Sequence, residues 1–123
     1  MKQDNIIYWV STGIFCALML MSGFMYFTSP EAKAGFAHIG LPDWFREELG
    51  TAKILGAITL LLPMIHHRVK EWAYAGFGIV LISASYAHLI TGDGIGKAAI
   101  PFFFLGVLVL SYTYWHRLRL KIA

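Results

Sequence analysis

The chain has 123 residues, of which 58% are hydrophobic and 14% charged, and its formal net charge is +3. A soluble domain carries about 25% charged residues, so this composition excludes a disordered chain, a nucleic-acid-binding tail and an ordinary soluble enzyme. The length fits one domain, 1–123, and a single cysteine, Cys16, excludes an intrachain disulfide, CxxC redox chemistry and a cysteine-built metal site within one chain.

Charge spacing divides the chain into four apolar runs. The first, 6–27, holds no charge. A signal peptide is the competing reading, with Ala32-Lys33-Ala34 resembling a cleavage site, but the run is far longer than a signal h-region. The segment 28–48 follows as a long loop. Ser29-Pro30-Glu31 reads as a helix start, Ser29 as N-cap and Pro30 at the first helical position. Leu41-Pro42-Asp43-Trp44-Phe45 begins another turn leading into the second run, 49–65, whose one charge is Lys53. The third and fourth runs, 72–90 and 98–115, are uncharged and joined to their neighbours by short loops.

As helices these runs are roughly 26 to 33 Å long, matching a hydrocarbon core of about 30 Å. No strict polar–apolar alternation supports a barrel, and a soluble bundle would need polar helix faces that these runs lack. The expected fold is all-α: an antiparallel four-helix integral membrane bundle with a long first loop. Lys2, Arg68, Lys70, Arg117, Arg119 and Lys121 fall on the side of the termini, and Lys33, Arg46 and Lys97 on the other. That imbalance puts the termini in the cytoplasm. The basic balance therefore reflects topology and attraction to anionic headgroups rather than nucleic acid.

Lys53 is the informative exception, because a charge inside a span is costly. Two readings are open. It snorkels from near the outer end as a structural residue, or it points inward as a functional one. Gly50, Gly56 and Ala57 line its face, and small faces pack against other helices. On the third run, Gly78, Leu81, Ser85, His88 and Gly92 share one face, with Asp93 just beyond. Lys53, His88, Asp93, Ser85 and an outer glutamate, Glu48, therefore make the candidate ligand site, against the alternative of a satisfied structural network between helix ends. Gly92-Asp93-Gly94-Ile95-Gly96 lacks the strand and the Lys-Ser/Thr pair of a phosphate loop and reads as a tight turn. His66, His67 and His116 lie at the inner side, opposite His88, and read as interfacial residues rather than metal ligands. No serine has a hydrolase context.

Gly50-Thr51-Ala52-Lys53-Ile54-Leu55-Gly56 with Leu61-Leu62-Pro63, Lys70-Glu71-Trp72-Ala73-Tyr74-Ala75-Gly76, and His88-Leu89 with Gly92-Asp93 resemble the DoxX-like family of small bacterial four-helix membrane proteins. The resemblance spans most of the chain. It implies a cytoplasmic-membrane protein, some relatives being linked to quinone-dependent sulfur oxidation or to protection against oxidative stress, others acting as accessory partners of membrane enzymes. Gly50, Lys53, Pro63, His88 and Asp93 are the matching positions. The expectation is an inner-membrane protein whose outward polar pocket binds a quinone or another small hydrophobic ligand in a redox-associated system. Lys53 and His88 would contact a carbonyl oxygen and Asp93 would tune His88. No complete catalytic or redox-cofactor motif is present. The alternatives are a non-catalytic assembly partner, working as a homo-oligomer or within a membrane complex, and a small-molecule transporter.

Overall fold

A computed structural model describes residues 2–122, with side chains as far as Arg119. Lys121, counted above among the inner cations, lies outside the described side chains. Five helices follow one another: α1 (Lys2–Thr28), α2 (Pro30–Ile39), α3 (Asp43–Leu61), α4 (His67–Ile90) and α5 (Ile95–Ile122), with no strand among the described residues. The all-helical expectation holds, and the extra helix lies in the long first loop.

The residues at each boundary explain it. Ser29 caps α2 by accepting from Ala32 N–H at 3.4 Å, and Pro30 occupies the first position. There its missing N–H costs nothing. α3 starts at Asp43, six residues before its apolar run, and ends at Leu61 rather than 65. Pro63 is the cause: it drives Leu62 into extended backbone (φ −85°, ψ 118°) and cannot donate to continue the helix. The expected tight turn after α4 is present. Gly92 (φ +78°) and Gly94 (φ +93°) adopt left-handed backbone on either side of Asp93, a conformation that side chains with a Cβ resist.

α1 packs on α3, α3 on α4, α4 on α5 and α5 back on α1, while α2 rests on α3 and α1. Neighbours run antiparallel. Arg46, near the start of α3, donates to Tyr26 O near the end of α1. Lys70, early in α4, donates to Leu60 O late in α3 at 3.2 Å, and Ser85, late in α4, donates to Ala98 O early in α5 at 2.8 Å. One end of the assembly thus carries α2 and the 91–94 turn, here the α2 end; the other carries the start of α1 and the end of α5, the terminal end.

The helices meet where small residues let them. A Cβ on Gly23 would come within 2.9 Å of Gly50 O, and one on Gly56 within 2.8 Å of the Phe77 ring. The small face around Lys53 therefore serves packing, as its spacing implies. Between the helices Phe15 meets Phe77 edge-on, centroids 5.1 Å apart, and Ser111 joins Thr12 and Tyr74 by hydroxyl contacts, the latter at 2.7 Å. Such interhelical bonds contribute about 0.6 kcal/mol each on average in membrane proteins.

α1, α4 and α5 as far as Arg119 are long and apolar enough to cross a membrane. α3, expected as a span, is not among them. Asp43, Arg46, Glu47 and Glu48 occupy its first turns and Lys53 its middle. Arg46, read from sequence as a loop cation, is instead buried within α3, where it also bonds Asp43 Oδ1 at 2.9 and 3.1 Å.

Candidate functional site

A cavity of about 540 Å³ opens at the α2 end. Its walls come from α1, α2, α3, α4, α5 and the turn between the last two, and they are mostly apolar, with Met19, Phe36, Phe45 and Phe104 among them. Lys53, His88, Asp93 and His38 bring polar side chains that carry or can carry charge to its wall. Lys97 adds a cation to the same wall.

Lys53 is only 7% exposed. Its Nζ donates to Tyr26 Oη at 2.6 Å and to Ser22 Oγ at 3.0 Å, and sits 4.2 Å from the centroid of the Tyr26 ring. The lysine therefore points into the bundle and does not snorkel. Its partners are hydroxyls and a ring face, and Glu48 is not among them. Of its three N–H donors, these contacts use two.

Asp93 gathers the rest. Its Oδ2 lies 2.8 Å from His88 Nδ1 and its Oδ1 2.6 Å from His38 Nε2, with Thr91 Oγ1 3.0 Å from Oδ2. These bonds, first from His88 and then from His38, hold the Asp93 carboxyl well below the usual carboxylate range, against a smaller opposing effect of burial. An ionised carboxylate only accepts. His88 Nδ1 and His38 Nε2 must therefore carry the protons in these bonds, and Nε2 is the remaining ring nitrogen of His88. The backbone repeats the theme, because Asp93 N–H donates to His88 O at 3.0 Å. The turn glycines are what bring residue 93 back onto residue 88.

Three of the five expected residues, Lys53, His88 and Asp93, line this one cavity. Ser85 does not: its hydroxyl is buried and spent on Ala98 O, tying α4 to α5. Glu48 is exposed on α3 and is not among the lining residues. His38 was missed. A helix starting at Pro30 puts Ala32, Gly35, Phe36 and Ile39 on one face, all lining the cavity, and His38 follows Gly35 by three residues at the edge of that face. That periodicity was the available signal.

A family model described as the DoxX-like family matches residues 10–111, from the first third of α1 to the middle third of α5. The chain belongs to the DoxX-like family. No curated protein and no solved structure matches it. With three helices long and apolar enough to cross a bilayer, this DoxX-like chain is a membrane protein. The matched region contains every residue of the cavity named above.

Proposed function

We propose that the α2-end cavity of this DoxX-like protein binds a small, flat, hydrophobic molecule carrying ring oxygens, of the quinone or quinol class. The observation that carries this reading is the pairing of Lys53 with the Asp93–His88 dyad on the wall of one apolar cavity. Lys53 supplies a cationic donor suited to a carbonyl oxygen. His88, with Nδ1–H fixed on Asp93, offers Nε2 to a hydroxyl, or to a proton arriving with one. The apolar walls take the ring. The role is binding and orientation within a redox-associated system, with electron transfer left to a partner.

In this reading all four long helices cross the inner membrane of a bacterium with both termini in the cytoplasm, and the cavity opens outward. α3 crosses packed against α1 and α4, with its charged first turns at the interface beside α2. Exposed side chains such as Phe24, Ile79, Phe103 and Val109 face lipid. Replacing Lys33 by cysteine in a chain lacking Cys16 should give labelling by an impermeant maleimide from outside intact cells. Labelling only after lysis would reverse the orientation.

The binding itself is tested by thermal unfolding of the purified protein in detergent with a short-chain quinone and its quinol. Wild type should gain stability as concentration rises. Lys53→Ala and His88→Ala should gain little. No gain in wild type at any concentration rejects the site.

A further inference from the structure

A second cavity, of about 500 Å³, lies at the terminal end, far along the helices from the first. It is bounded by the start of α1, the α3–α4 turn, the start of α4 and the end of α5. We propose that it is a binding site for an anionic phospholipid, with the phosphate held at Lys70 and Arg119 and an acyl chain laid along the apolar wall.

The charge arrangement is the first argument. Lys70 is 3% exposed and lines the cavity. Its Nζ donates to Leu60 O, its one hydrogen-bond acceptor among the described residues, and no carboxylate of the described residues forms an ion pair with it. An ammonium has three donors, so two protons and a full charge remain for an occupant. Arg119 and His67 line the same space, and no aspartate or glutamate does. Arg119 is held over the Trp115 ring, 5.0 Å from its centroid, and 3.6 Å from Glu71 at the rim. Glu71 therefore offsets Arg119 in part and leaves Lys70 uncompensated.

Position supplies the second argument. Tyr8, Trp9 and Trp115 frame the cavity, and tyrosine and tryptophan collect at the headgroup level of a bilayer. Pro63, Ile65 and Leu118 complete an apolar wall. A buried cation at headgroup depth beside an apolar groove matches an amphiphile with an anionic head. Basic pockets between membrane helices recognise such headgroups. The site stands apart from the α2-end cavity, and its proposal does not depend on what that cavity binds.

The test uses the full-length protein in a neutral detergent, probed with phosphatidylglycerol, phosphatidylcholine and inorganic phosphate by native mass spectrometry and thermal unfolding. Phosphatidylglycerol should be retained at one molecule per chain and raise the melting temperature. Phosphatidylcholine and phosphate should do neither. Lys70→Met and Arg119→Gln should each raise the half-saturating concentration of phosphatidylglycerol about tenfold, the loss of one charge-assisted contact. Arg119 is partly exposed, so Arg119→Gln decides the matter if Lys70→Met does not fold. Equal retention of the two lipids, or unchanged affinity in Arg119→Gln, overturns the proposal. An equal response to inorganic phosphate makes it a soluble-anion site and overturns the lipid assignment.

Discussion

Each end of the molecule buries a lysine, and the two are satisfied in different ways. At the α2 end, Lys53 is held by two side-chain hydroxyls and a ring face, all from α1. At the terminal end, Lys70 is held by a backbone carbonyl of α3, one residue from the end of that helix. The distinction matters because side-chain hydroxyls have alternatives. Ser22 and Tyr26 can turn to each other or to a ligand, whereas Leu60 O lies in the last turn of a helix whose following peptide is broken by Pro63. Lys70 therefore does structural work that Lys53 does not, in addition to the N–H donors it keeps for an occupant.

The largest expected effect breaks that comparison directly. Lys70→Met should destabilise the protein by about 1–3 kcal/mol, because it strands a buried carbonyl. Lys53→Met keeps the side-chain volume and removes a buried charge, so its cost should stay below about 1 kcal/mol. Unfolding of the two variants in mixed micelles compares them. Equal losses would mean that the two lysines are equivalent structural pins.

A smaller effect sharpens the α2 end alone. Asp93 has a lowered pKa in the folded protein, so its bonds to His88 and His38 favour folding above the ordinary carboxylate value, about pH 4, and that contribution is lost as pH falls below it. Asp93→Asn should make the acid limb of the stability profile shallower below about pH 4 and leave the neutral region less stable than wild type. Parallel acid limbs in the two proteins would show that the turn carboxylate does not clamp the histidines.

Much of this was legible in the sequence, for physical reasons that particular residues show. Lys53 stood out because a charge inside an apolar run has no solvent to reach, and its glycine-lined face announced close packing. Ser29-Pro30 and Gly92-Asp93-Gly94 were readable because capping and left-handed turns restrict residue choice so strongly. Lys70 and Arg46 were not. Both sit at the edges of apolar runs, where a cation normally reaches water, and only the tertiary arrangement turns them inward onto Leu60 O and Tyr26 O. For His38, the periodicity of α2 marked its place beside the cavity-facing residues, but not its partner Asp93, which is 55 residues away. Ser85 misled because its face was right, but its hydroxyl had a nearer acceptor on α5. The span expected at 49–65 was overdrawn at its far end, where Pro63 outweighs the run of leucines before it.

The central claim is that the two cavities differ in what they accept, and that Lys53 and His88 define a quinone-class site at the α2 end. The most direct measurement is photolabelling of the purified protein with an azidoquinone, followed by peptide mapping. Label should fall on peptides carrying the wall of the first cavity, around Phe36, Lys53 and Phe104. An unmodified quinone should compete it away, and Lys53→Met should lose it. Label confined to the terminal end around Trp9 and Trp115, or label that no quinone displaces, would contradict the account.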